Sequence, residues 1–165
     1  MSEPESAHLA RLTELAPAEP GGWVLRLRRM FRTGEPRARV FASAARLGTR
    51  LDVEWRLDHG TREITNVSIA LVGSEVARLR ISARTGISVV TERQPFLTLA
   101  IDRQMPEPGA RNGAGRGSTM ITAPAVPTLT GRLNEISWAV VVEAAFQANP
   151  IWSREFPLTV LPVVP

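Results

Sequence analysis

Residues 51–58 read Leu51-Asp52-Val53-Glu54-Trp55-Arg56-Leu57-Asp58. Apolar and charged side chains alternate without a break. Successive strand side chains face opposite ways, so the stretch predicts a half-buried β-strand with Leu51, Val53, Trp55 and Leu57 inward. The signs interleave along Asp52, Glu54, Arg56 and Asp58, which predicts a solvated face with cross-strand salt bridges. The strand ends at Asp58-His59-Gly60, a turn composition that places His59 in solvent.

The same period continues on both sides. Ile64 to Val72 puts Val67, Ile69 and Leu71 on one face, and Gly73-Ser74 reads as a turn. Ala77, Leu79 and Ile81 then alternate with Arg78, Arg80 and Ser82. Shorter apolar runs follow at Ile87–Thr91 and Phe96–Ile101. Trp138, Val140, Val142, Ala144 and Phe146 share one side of a longer strand, and Phe156 to Leu161 closes the series before Pro162. Short strands between Gly, Pro and Asn signals predict an antiparallel β-sandwich. Nothing after Pro20 reads as a helix, which argues against an α/β fold with a nucleotide crevice. The start differs. Leu9, Leu12 and Leu15 recur at near-helical spacing between Ser6, a plausible N-cap, and Pro17, a stop, predicting a short N-terminal helix. Residues 1–20 thus read as a lead-in and residues 21–165 as a single sandwich domain. Trp23, Trp55, Trp138 and Trp152 are its expected core anchors, with Trp152 alternatively capping one end.

Composition excludes several chemistries. The 165 residues are 44% hydrophobic and 22% charged, with net charge +4. Cysteine is absent, so disulfides, thiolate metal sites and a cysteine nucleophile are out. Only His8 and His59 are present, which excludes a histidine-rich metal site. No apolar run reaches the ~18 residues of a membrane-spanning helix. The acidic opening Met1-Ser2-Glu3-Pro4-Glu5 lacks the apolar core of a secretory signal, so a cytoplasmic protein is expected. All 20 basic residues are arginine, which accounts for a sequence pI near 11.2.

The motifs do not assemble a catalyst. Asn112-Gly113-Ala114-Gly115-Arg116-Gly117 spaces its glycines as GxGxG, not GxGxxG, and leads into a strand instead of a helix N-terminus. It reads as a flexible hairpin loop within the Pro-, Gly- and Arg-rich stretch 106–117. No G-x-S-x-G elbow supplies a serine nucleophile. Asp52, Glu54 and Asp58 read as a solvated strand face, without the Asp-x-Asp-x-Asp-Gly spacing of a cation loop. The sequon Asn66-Val67-Ser68 lies within a predicted strand. No enzyme activity, cofactor or metal is expected.

Four segments resemble the arrestin-like β-sandwich family, in that family's order. They are Leu51–Leu57 with its turn, the strand Ile64–Glu75 with Leu71-Val72-Gly73-Ser74-Glu75, the Pro-rich crossover Thr122–Gly131, and Asn134–Val142. Phe156–Pro162 is similar to the family's closing strand. The resemblance covers roughly residues 45–162 and implies one sandwich where arrestins have two. The fold expected is therefore all-β, an immunoglobulin-like or arrestin-like antiparallel sandwich with a short N-terminal helix, and the role implied is binding.

A protein-interaction domain using an edge strand or loops is accordingly the leading expectation. Its candidate contacts are Arg26, Arg28, Arg29 and Arg32 in the one basic cluster, and Arg111 and Arg116 in the 106–117 stretch. The alternative from another class is an arginine-rich module for nucleic acid or an acidic surface, with steep salt dependence. Few exposed aromatics are available as stacking platforms for single strands.

Overall fold

The computed structural model describes residues 12–18, 35–83, 86–147 and 151–163. Among these residues there are strands and no helix. In chain order the strands are β1 (Thr13–Leu15), β2 (Arg37–Ala42), β3 (Ala45–Arg46), β4 (Arg50–Asp58) and β5 (Ile64–Ala83). They continue as β6 (Gly86–Gln104), β7 (Asn112–Met120), β8 (Leu129–Thr130), β9 (Asn134–Phe146), β10 (Trp152–Leu158) and β11 (Val160–Leu161).

Two antiparallel sheets face each other. One runs β1-β2-β4-β7; the other runs β10-β9-β5-β6, with β8 added to the start of β9. A short parallel pair, β11 with β3, lies beside them. The alternation in β4 resolves as expected: Leu51, Val53, Trp55 and Leu57 are buried. They meet Val67, Ile69 and Leu71 of β5 and Trp138, Val140 and Val142 of β9 in one core. Trp55 and Trp138 are fully buried anchors, and Trp152 is half-buried against the core. Trp23 lies outside the described residues. The outer face of β4 carries one cross-strand ion pair of the kind expected, Arg116 of β7 to Glu54 (3.5 Å), while Arg56 pairs with Glu54 within β4 (3.1 Å). Asp52 departs from that reading: it is 8% exposed and paired with Arg50 at 2.9 Å.

The N-terminal helix is a correction. Where the chain is described, Thr13–Leu15 is extended and pairs with Val40–Ala42, Leu15 opposite Val40. A three-turn helix is marginal without tertiary support, whereas an open edge of β2 offers backbone partners. Residues 6–11 lie outside the described residues.

The Asn112–Gly117 loop is a second correction, because these residues form most of β7. Gly113, Gly115 and Gly117 pair with Leu57, Trp55 and Val53, so all three glycines face inward. The reason is space. A Cβ at Gly113 would touch the Trp55 ring at 3.4 Å, and one at Gly115 would lie 2.5 Å from Asp102 Oδ2. One at Gly117 would overlap the Ile101 carbonyl oxygen. Bare backbone in β7 lets the end of β6 close the corner between the sheets. There Trp55 Nε1 donates to Asp102 Oδ2 (2.8 Å), and Gln104 Nε2 donates to the same oxygen (3.0 Å).

Gly73-Ser74 is not a turn either. β5 runs through it with only a register shift against β6, and Gly73 pairs with Trp138. A Cβ on Gly73 would stand 2.7 Å from the Phe96 ring and 2.9 Å from the Trp138 ring. The glycine answers a ring-packing demand. Likewise His59 is buried, 5% exposed, with its ring edge-on to Phe146 at 4.5 Å. It continues the inward phase of β4 by one more residue instead of turning into solvent.

No helix among the described residues is long and apolar enough to cross a membrane.

Candidate functional site

The absence of a turn at Gly73 makes β5 and β6 far longer than the body of the sandwich. From Val67 to Ala77, β5 is held on both sides, by β6 and by β9. Beyond that point the β9 ladder ends, save for the Arg78 N–H donating to the Leu133 carbonyl (2.8 Å). Arg78–Ala83 then pair with Gly86–Thr91 alone. At 3.4 Å per residue, these six pairs carry a two-stranded ribbon roughly 20 Å beyond the sheet. An isolated two-stranded hairpin is only marginally stable in water.

The ribbon carries apolar surface into solvent. Leu79 and Val90 are cross-strand partners on one face, 55% and 43% exposed. Val89, on the opposite face, is 58% exposed. Leu133, which borders the root through its bond to Arg78, is also exposed. Charges gather at the root. Arg78 pairs with Glu135 of β9 (2.6 Å), and Arg93 pairs with Glu155 of β10. Pro95, which has no N–H to offer, interrupts the ladder nearby. Along the ribbon itself, Gly86-Ile87-Ser88-Val89-Val90-Thr91 contains no charge and no proline. β6 is the edge of its sheet, with no strand on its outer side among the described residues. Proteins ordinarily blunt such an edge with charge, proline or a covering element. Here the root is blunted and the ribbon is not.

The residues singled out from sequence fall elsewhere. Arg26, Arg28, Arg29 and Arg32 lie outside the described residues. Arg111 is exposed in the connection before β7, its carbonyl accepting the His59 N–H (3.0 Å). Arg116 points outward from the middle of β7 toward Glu54. Both sit on or next to the four-stranded sheet, so the structure does not bring them to the ribbon. Sequence reading missed the ribbon because it ends one strand at Gly73-Ser74 in β5 and divides β6 into two short apolar runs, Ile87–Thr91 and Phe96–Ile101. The signal that reveals it is the matched alternation of Ala77-Leu79 and Val90-Glu92 on either side of Thr85-Gly86.

The four-stranded sheet has an ordered polar face of its own. Glu14 of β1 receives two hydrogen bonds from Arg39 of β2, from Nε at 2.8 Å and Nη2 at 2.9 Å. These bonds hold the Glu14 carboxyl below its ordinary pKa and hold the Arg39 guanidinium above its own. Arg39 also lies over the Phe41 ring, 5.3 Å from its centroid.

No protein-family model matches the chain, and no curated protein does. A solved structure does. The sporulation control protein Spo0M of Bacillus subtilis superposes with a TM-score of 0.51 at 14% identity. The alignment covers 78% of this chain and 50% of that one, so the chain spans about half the length of the protein it matches. The fold is arrestin-like. At this identity the likeness reports architecture, an all-β antiparallel sandwich, and carries no activity with it.

Proposed function

We propose that the chain is a non-enzymatic protein-interaction domain of the bacterial arrestin-like kind, working in the cytoplasm, and that it takes its partner on the β5–β6 ribbon. The observation that carries this reading is the uncharged, uncovered edge at Gly86–Thr91 beside exposed Leu79, Val89 and Val90. An extended partner segment adds there as a further strand. Backbone hydrogen bonds supply affinity, and alternate side chains supply specificity. The partner strand is therefore apolar, to match exposed Leu79, Val89 and Val90.

Nucleic-acid binding through the arginines at the root is the weaker reading. Arg78 and Arg93 are already neutralised by Glu135 and Glu155. The test is a pull-down with the wild type and with a Leu79→Asp/Val90→Asp variant, washed at low and high salt. A protein retained by the wild type at high salt and lost from the variant is the expected result. Equal retention by both refutes the ribbon as the docking surface. Retention of nucleic acid that vanishes with salt moves the function to the arginines.

A further inference from the structure

The outer face of the four-stranded sheet contains a second feature, independent of the ribbon. A groove of about 580 Å³ opens across β2, β4 and β7. Among the described residues it is lined chiefly by Arg37, Arg39, Arg56, Asp58, Asn112 and Ala114. The register fixes how they meet. Arg39 stands directly opposite Arg56, and Arg56 opposite Ala114; in the next row Arg37 faces Asp58, which faces Asn112. Like charges directly opposite each other on antiparallel strands destabilise the pair. The fold does not require this arrangement, since these positions point away from the core.

The existing partners engage two of these guanidiniums from outside the groove. Glu14 holds Arg39 from the β1 side and engages Nε and Nη2, leaving Nη1 free of that pair. Glu54 holds Arg56 from the neighbouring row. The Arg37 side chain makes no hydrogen bond or ion pair with another described residue. The Asp58 carboxylate accepts the Gly60 N–H through Oδ1 (2.8 Å), at the turn. The lining therefore sets three guanidiniums against one carboxylate, with Glu14 and Glu54 pairing two of them from outside, so the Arg37 side chain and the remaining N–H groups of Arg39 and Arg56 are the donors that face the groove. Guanidiniums present planar forks of donors suited to phosphate oxygens. The small outward side chain of Ala114 keeps the β7 wall low, and the Asn112 amide adds a donor at its rim.

We infer that this groove is a phosphate site, with Arg37, Arg39 and Arg56 holding the dianion between them and Asn112 hydrogen-bonding its ligand. The phosphate is either free or the monoester group of a small molecule. The volume lies within the range of small-ligand sites and exceeds what a lone phosphate fills.

The experiment is an NMR titration of the arginine Nε–H resonances of the whole chain, with inorganic phosphate and then with glycerol phosphate. Saturable shifts at Arg37, Arg39 and Arg56 are expected, with Arg103 and Arg132 unmoved. Both Arg37→Ala and Arg56→Gln should weaken binding about tenfold, the loss of one charge-assisted contact, while Arg103→Ala leaves it unchanged. Tighter binding of the monoester identifies an ester as the ligand; equal binding identifies free phosphate. Shifts that never saturate, or that spread equally to Arg103 and Arg132, overturn the site. Neither result depends on whether the ribbon binds protein.

Discussion

The two ends of β6 make opposite use of the same backbone. Its last residues, Ile101–Gln104, press against the glycine wall of β7, and Asp102 is tied to Trp55 and Gln104. Among the described residues its first residues, Gly86–Thr91, pair only with β5, and no strand lies along their uncharged outer edge. One end spends three inward glycines to remove every gap. The other accepts Leu79, Val89 and Val90, exposed among the described residues. Apolar surface left open on an otherwise well-sealed sandwich marks a place where something else packs.

That contrast can be broken from either side, and the sealed end should yield the largest effect. Trp55→Ala removes a fully buried indole and the donor to Asp102. It should cost about 3–5 kcal/mol in denaturant unfolding. A loss no larger than that of a surface substitution would mean the corner is not packed as described. Gly117→Ala comes next. Its methyl would overlap the backbone of Ile101, which no rotamer change can relieve. A cost of about 1–3 kcal/mol is expected, read as a lowered urea midpoint at unchanged slope. Neutral behaviour would assign the glycines to loop flexibility after all.

At the open end the expectation reverses. Leu79→Asp with Val90→Asp should cost no more than about 1–2 kcal/mol, the penalty of two like charges set opposite each other at half-exposed strand positions. A large loss of stability would show that the ribbon is packed against the body and is not a free surface.

The smallest effect concerns the edge strand of the other sheet. Arg39 depresses the Glu14 pKa, so the pair contributes stability above the ordinary carboxyl pKa and loses it as the pH falls through the lowered value. Arg39→Ala should return the Glu14 carboxyl titration, followed by carbon NMR, toward the ordinary range. An unchanged titration would separate β1 from β2.

Much of the sandwich was legible because one face of β4, β5 and β9 is buried and the other is not. Alternation is then a direct record of the environment, from Leu51 to Leu57 and from Trp138 to Phe146. The misreadings share a physical cause. Gly73, Gly115 and Gly117 read locally as turn or loop residues, but each is a glycine because a ring, a side chain or a neighbouring backbone occupies the space of its Cβ. That demand comes from residues distant in sequence. His59 was read from its turn neighbours instead of its phase, although it stands two residues after inward Leu57. Thr13–Leu15 carries a helical spacing that pairing with β2 overrides. The phosphate groove depends on the cross-strand register of Arg39 with Arg56, which no local pattern records.

The most direct test is amide hydrogen exchange along β6, in the isolated protein and again with its captured partner. Ile101–Gln104 should be protected in both samples. Gly86–Thr91 should exchange rapidly alone and slow on addition of the partner. Equal protection of both ends in the isolated protein would show that the ribbon is already covered. No slowing of Gly86–Thr91 with the partner bound would place the binding surface elsewhere.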